Sequence, residues 1–305
     1  MRVLITGAAG FLGKECAKLF KENAYHVITT DKLTGVDLQG DLSDAQFTAS
    51  LPDVDLVINC AAVQYVSKDL PIFFRNFYFN KNNILTAKNL CERYKNTSAH
   101  LIHLGTSMMY KQTGQELYSL DSTMGGEGVY SISKLQAQTY IDQFPGSATV
   151  IPCIIGGEGR EGLFIGFVKM MKKFGFVLFP GQGRHKIHMV HVSDVADLIM
   201  VIAQKRAAGL YNAAAPEPLS IRQWIEEIQD ELKIKQVTPV SIPLLPVKLI
   251  SQALLYRVLA REQLLMLKYP HVLDIKESLA IGWKPKFTNA QIARDIAVHI
   301  NREMS

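Results

Sequence analysis

Tyr130 and Lys134 stand four residues apart in Tyr130-Ser-Ile-Ser-Lys134. On a helix that spacing puts both side chains on one face. An ammonium beside a phenol favours the phenolate, so the pair can exchange a proton with a substrate hydroxyl or carbonyl near neutral pH. The lysine can also hold a nicotinamide ribose. With 11 tyrosines in the chain, about one such pair is expected by chance. Its weight comes from what precedes it. Leu104-Gly105-Thr106-Ser107 follows an apolar run, and the Thr106 hydroxyl at the end of a parallel strand can bind the reacting oxygen.

A second group of residues binds rather than reacts. Thr6-Gly7-Ala-Ala-Gly10-Phe11-Leu12-Gly13 reads as a strand end, a glycine turn and a helix start. A side chain at Gly7 or Gly10 would fill the space a pyrophosphate needs, and Gly13 lets the helix lie close on the sheet. The free N–H groups at that helix start then face an anion, which points to a dinucleotide. Asp31 comes eighteen positions after Gly13. A carboxylate there accepts hydrogen bonds from the adenosine ribose hydroxyls and repels the extra phosphate of NADP, while Lys32 leaves NADP some room. Asp41 and Leu42 are placed to meet the adenine.

These residues need a scaffold that brings strand ends together. Apolar runs at residues 3–5, 27–30, 56–60, 100–104 and 149–154 alternate with helical patterns at 11–23, 86–94 and 130–144. That rhythm predicts an α/β fold, a doubly wound parallel sheet with helices on both faces. It breaks after about residue 155. Residues 1–155, with 188–214 returning to them, are expected to form a dinucleotide-binding domain. Residues 156–187 and 215–305 are expected to form a smaller C-terminal substrate lobe. The stretch 242–259 winds into a helix apolar on one side, expected to cover the substrate cavity or meet a partner; membrane contact is the less favoured reading.

Composition sets the limits. The chain has 305 residues, 48% hydrophobic and 20% charged, with a net charge of +5. That is ordinary for a globular enzyme. No basic stripe with interleaved aromatics is present, which argues against nucleic acid; a mild positive bias suits an anionic small molecule. The four cysteines are scattered and read as reduced core residues, favouring the cytoplasm. No signal peptide and no membrane span are expected. His185, His188 and His191 are three apart, a spacing that alternates faces in a strand, so no metal site is expected. Phe73, Phe74, Phe77, Tyr78 and Phe79 are expected to pack in the core or a cavity wall, with a dimer face as the alternative.

Taken together, the motifs resemble the extended short-chain dehydrogenase/reductases, in particular the NAD-dependent epimerase/dehydratase group, which have a Rossmann fold. The resemblance runs nearly the length of the chain. Thr6 to Gly13 matches the glycine motif, in which Phe11 and Leu12 would offer backbone N–H to the pyrophosphate. Cys60-Ala61-Ala62 matches the strand end beside the cofactor, and Asn83 leads a helix motif that orders the active site. Thr106, Tyr130 and Lys134 fall on the catalytic Ser/Thr–Tyr–Lys positions, and Pro152 and Cys153 on cofactor positions. His191-Val192-Ser193-Asp194-Val195-Ala196 and Gly282-Trp283-Lys284-Pro285 match C-terminal signatures. The resemblance implies a homodimer through a four-helix bundle that includes the Tyr130 helix.

The departures bear on the substrate. Sugar-nucleotide enzymes of the group often carry Arg-Pro-x-Asn where this chain has Ile151-Pro152-Cys153-Ile154. An Arg usual shortly before the His-Val motif aligns with Ile187. Ser107-Met108 replaces the Asp-Glu of the 4,6-dehydratases. Leu104 to Ser107 is similar to GDP-fucose synthase, whose neighbouring Cys aligns with Met108. The region around 242–259 resembles the 3β-hydroxysteroid dehydrogenase-like branch. The leading expectation is an NAD-dependent oxidoreductase or epimerase acting on a secondary alcohol of a nucleotide sugar. A net dehydrogenase on an apolar alcohol such as a sterol is the alternative, and a non-catalytic NAD-sensing regulator is the third.

Overall fold

The structure is a computed structural model. It describes residues 1–65, 67, 70–160, 162, 164–254, 256 and 259–304. The first half of the chain alternates strands and helices: β1 (Arg2–Thr6), α1 (Phe11–Glu22), β2 (His26–Asp31), β3 (Leu38–Gln39), α2 (Ala45–Ala49), β4 (Leu56–Asn59), α3 (Arg75–Phe79), α4 (Thr86–Tyr94), β5 (His100–Leu104), α5 (Val129–Ile141) and β6 (Ala148–Pro152). The second half adds β7 (Ile154–Gly156), α6 (Phe164–Phe174), β8 (Phe176–Pro180), β9 (Lys186–Ile187), β10 (Met189–His191), α7 (Val192–Lys205) and β11 (Gly209–Ala213). It closes with β12 (Leu219–Ser220), α8 (Ile221–Glu231), β13 (Thr238–Ile242), α9 (Leu244–Ala253), α10 (Arg261–Lys268), α11 (Lys276–Ala280) and α12 (Asn289–Glu303).

Seven parallel strands make the main sheet, in the order β11-β6-β5-β4-β1-β2-β3. Chain order reverses between β1 and β4, and open α/β sheets bind ligands at such a reversal. Side chains on β1 alternate accordingly: Val3 and Ile5 pack on one face with α1 and α7, and Leu4 on the other with α4 and α5. The expected strand at 149–154 is split, with β6 in the main sheet and β7 paired to β10. Of residues 188–214, expected to return to the sheet, β11 is the strand that does so among the described residues, while β10 pairs with β7.

The two C-terminal signatures meet in space. Buried Asp194 accepts the Lys286 and Phe287 N–H groups at 3.0 and 3.2 Å, and its carbonyl accepts the Trp283 indole N–H at 2.9 Å. His191 stacks on Phe287 at 4.0 Å. These residues join α7 to the segment before α12 and so hold the C-terminal elements on the sheet. His188 accepts the Leu273 N–H at 3.0 Å, His191 caps α7, and His185 is exposed. The aromatic cluster divides. Phe79 is buried, whereas Phe73, Phe74 and Phe77 are exposed, which corrects the expectation of core packing for those three. The 242–259 stretch yields α9, which supplies none of the described cavity-lining residues; α10 supplies Gln263, Met266 and Leu267 instead.

Candidate active site

The glycine turn closes against the end of β4. Gly7 has φ +63°, and a Cβ there would lie 2.7 Å from the Ala61 backbone. A Cβ on Gly13 would lie 2.1 Å from the Gly7 carbonyl oxygen. Gly10 differs: a Cβ would meet Gly7 O alone, at 3.0 Å, so its free side opens away from protein. Gly10 is also the N-cap of α1, and no side chain caps that helix. The first-turn N–H groups at Phe11, Leu12 and Gly13 therefore remain available to an anion.

Asp31 ends β2 beside this turn. Its carboxylate accepts the Ala9 N–H at 3.0 Å and the Leu33 N–H at 3.0 Å. Lys32 turns aside to the Asn82 side-chain oxygen. Asp41 accepts the Ser43 N–H and hydroxyl at 2.9 and 2.7 Å and pairs with Lys81 at 3.1 Å. Burial pushes its pKa up, but the Ser43 and Lys81 hydrogen bonds outweigh that and hold it below the usual carboxylate value. The Leu42 side chain lies in the core. Ala61 donates its N–H to the Thr6 hydroxyl and the Asn59 oxygen, and Ala62 follows it, half-buried. Asn83 accepts the Val63 N–H at 2.9 Å and donates to Ser133 on α5 at 2.9 Å, tying the loop after β4 to the helix of Tyr130.

Thr106 follows β5; its hydroxyl accepts the Met108 N–H at 3.3 Å and lies near enough to the Tyr130 phenol to pull that phenol's pKa down. Tyr130 lies in the first turn of α5, buried against the Tyr65 and Phe79 rings, each 5.9 Å away. Burial pushes the Tyr130 phenol up to about 12; Thr106 and Arg160 pull it down and Glu262 pushes it up. Lys134 is not among the groups that shift it. This corrects the expectation that the lysine lowers the phenol. The Lys134 ammonium is drawn the other way, to the Leu104 carbonyl at 2.5 Å and His103 Nε2 at 3.3 Å. Burial brings its own pKa down to about 7. His103 in turn meets the Asn59 amide at 3.0 Å, and Asn59 accepts the Thr6 hydroxyl at 2.7 Å. A buried polar chain thus runs from the glycine turn to Lys134.

Several of these residues escape a reading of the sequence. The Glu262 carboxylate is buried at the start of α5, accepting the Ser131 N–H at 3.1 Å, the Ser131 hydroxyl at 3.0 Å and the Tyr65 hydroxyl at 2.7 Å. A Cβ on Gly128 would lie 2.1 Å from that carboxylate, so a side chain there would have to displace Glu262. An anion at a helix N-terminus is stabilising, which accounts for a buried Glu at this place. Arg160 bonds Gln64 at 2.6 Å and lies over the Phe11 ring at 5.7 Å. Ser107 and buried His271 share a hydrogen bond of 2.7 Å. Signals existed for Arg160, which follows a glycine-rich loop, and for His103, polar in an apolar strand. Glu262 and Tyr65 carry no local signal.

Beside Thr106 and Tyr130 opens a cavity of about 190 Å³. Pro152 and Cys153 line its sheet side, and Arg160 reaches into it. The far wall is apolar and includes Met108, Phe164, Trp224 and Met266. Ile154 and Ile187, the two positions that depart from sugar-nucleotide enzymes, both line it.

Comparison with known proteins agrees with this architecture. Residues 3–214 match the model of the NAD dependent epimerase/dehydratase family. The epimerase family protein SDR39U1 of Bos taurus is 24% identical over 302 residues, covering 94% of this chain and 96% of its own. Among solved structures, UDP-glucose 4-epimerase from Thermotoga maritima with UDP-glucose has a TM-score of 0.81 at 18% identity, with all of both chains covered. Human SDR39U1 with NADPH has a TM-score of 0.79 at 19% identity, covering 98% of this chain and 99% of that one. The chain belongs to the NAD dependent epimerase/dehydratase family, and its fold is the seven-stranded Rossmann-like α/β sheet of the extended short-chain dehydrogenase/reductases.

Proposed function

We propose that this protein is a nicotinamide-dependent oxidoreductase that interconverts a secondary alcohol and a ketone on an apolar substrate. The observation that carries the substrate class is the cavity wall. Ile154 and Ile187 stand where a diphosphate would need polar partners, and they leave Arg160 as the one cation lining the cavity among the described residues, too little to pair a buried diphosphate. The volume is also below the roughly 300–1,000 Å³ of pockets that enclose drug-sized ligands. A nucleotide sugar remains the second reading, favoured by the likeness to UDP-glucose 4-epimerase with UDP-glucose.

The residues fit a dinucleotide. Gly7, Gly10 and Gly13 clear the room, Phe11 and Leu12 supply N–H groups, and Asp31 meets the adenosine ribose and disfavours a 2′-phosphate, so NAD is preferred to NADP. Lys32, Asp41, Leu42, Ala61, Ala62, Asn83, Pro152 and Cys153 complete the surroundings. When bound, the nicotinamide supplies or accepts the hydride. The protein's part is the proton. A phenol at about 12 is protonated at neutral pH. Tyr130 is therefore set to donate its proton to a carbonyl oxygen that Thr106 aligns, which is the direction of ketone reduction. Lys134 holds the nicotinamide ribose. Exposed Leu85, at the N-cap of α4, and exposed Ile132 on α5 support the homodimer reading through the α4–α5 face.

The test is a screen of apolar ketones and nucleotide sugars with NADH, followed by loss of NADH absorbance. Tyr130→Phe should cut turnover about 10²–10⁴-fold while NADH still binds. Undiminished turnover in that variant refutes the assignment of Tyr130. Reaction of nucleotide sugars alone refutes the substrate class, whether as loss of NADH or as epimerisation, which returns the hydride and is read by product chromatography; no turnover by either readout together with tight NAD binding would favour a regulator.

A further inference from the structure

Two stretches of the chain, 162–193 and 232–261, contain no Asp or Glu, and each carries five Lys or Arg. The whole chain has 33 Lys+Arg against 28 Asp+Glu, so everything outside these stretches is net acidic. The fold joins the two. β8, from the first, pairs in parallel with β13, from the second, and among the described residues with no other strand. The resulting ribbon runs straight into α9 through Pro243.

This basic region bears an uncovered apolar face. Cross-strand partners Leu178 and Val240 are both exposed on the ribbon. On α9, Leu245, Leu249 and Ile250 are 66%, 56% and 55% exposed, and Leu254 is exposed at the C-cap. The opposite side of α9 packs inward through buried Ser251 and half-buried Leu244 and Val247. Lys248 is the one charged residue of the helix. The nine described cations of the two stretches are all exposed, and among described residues Arg261 is the one of them in an ion pair, with Glu127 at 3.7 Å.

We propose that α9 and the β8–β13 ribbon dock on an anionic lipid bilayer, with α9 lying in the interface rather than crossing it. A helix with an apolar outward face, set in cationic surroundings, is the pattern of an interfacial anchor. Charge complementarity selects this occupant over a second copy of the chain. Two copies meeting through this face would bring these cations together, and neither stretch holds an Asp or Glu to offset them. No helix among the described residues is long and apolar enough to cross a membrane. The proposal is independent of the reaction, although α6 and α10, which border this region, also wall the cavity.

The experiment is co-sedimentation of the full chain with phosphatidylcholine vesicles, with and without phosphatidylglycerol. Binding is expected to the anionic vesicles and to weaken as salt is raised. The double variant Leu249→Glu, Ile250→Glu should lose at least about tenfold in binding. Lys248→Gln, at a fully solvated site, should lose about fivefold. Melting temperature and NADH binding should match the wild type, and if the double variant fails to fold, Lys248→Gln and the salt series still decide. Equal binding to uncharged vesicles, absence of binding, or Leu249→Glu and Ile250→Glu changing the oligomeric state in solution would each overturn the proposal.

Discussion

Replacing Lys134 with Met should make this protein more stable while it silences the reaction. Lys134 is buried, and burial moves its pKa from 10.5 to about 7. That displacement corresponds to about 5 kcal/mol of stability withheld from the folded state at pH 7. Met keeps the length and apolar stem and removes the charge. It also strips the Leu104 carbonyl of its 2.5 Å partner, at a cost of about 1–3 kcal/mol. The net gain at pH 7 is about 2–4 kcal/mol, or about 3–6 °C in melting temperature. The pH dependence gives the sharper reading. Below pH 7 both folded and unfolded wild type hold the proton, so the penalty is constant there. Between about 7 and 10.5 the unfolded chain holds the proton and the folded one does not. Wild-type stability therefore climbs by about 1.4 kcal/mol per pH unit in that window from this group. The variant lacks that slope, so its advantage shrinks as pH rises. Denaturant titrations of both proteins at pH 6, 7, 8 and 9 read this directly. A variant no more stable than wild type at pH 7, or an advantage that stays flat to pH 9, refutes the reasoning.

Five further outcomes follow from the same geometry. Gly7→Ala combines a φ of +63° with a Cβ 2.7 Å from the Ala61 backbone; it should cost on the order of 2–4 kcal/mol in a denaturant melt and abolish NADH binding by calorimetry. Glu262→Gln removes a group that raises the Tyr130 phenol, so the alkaline limb of the kcat/KM profile should move to lower pH. Arg160→Gln removes one that lowers it, and should move the same limb to higher pH; limbs that stay put would disconnect both residues from Tyr130. Asp31→Ser should bring the KM values for NADH and NADPH closer together, measured side by side. Ile154→Asn should weaken use of apolar ketones with cofactor KM unchanged, because it sets an unpaired amide in the wall.

What could be read from the chain in advance was what repeats locally. The glycine turn, Asp31 and the strand ending before Thr106 are each fixed by a few consecutive residues and by the period of a strand or helix, and they come together where the sheet order reverses. Tyr130 and Lys134 do share α5, but the spacing carried no information on which way the ammonium turns. That was decided by Leu104 and His103 on a strand some thirty residues earlier. Glu262 meets Ser131 across 131 residues, a contact set by how the C-terminal elements pack. In 242–259, one-sided apolarity identified a helix but not what that side faces: among the described residues α10, not α9, lines the cavity, so the cavity-covering alternative is the one that falls. Exposure of Phe73, Phe74 and Phe77 likewise depends on surroundings that hydrophobicity alone does not specify.

The Glu262 carboxylate at the head of α5 has a consequence for how the enzyme is assembled. The helix bearing Tyr130 receives its N-terminal counter-charge from a residue translated long after it. A nascent chain that has completed its sheet as far as β6 still has the Ser131 amide uncapped and the Tyr65 hydroxyl without its acceptor. The setting that Glu262 gives the Tyr130 phenol therefore arrives late, when α10 seats, and a chain cut short before residue 262 would lack it.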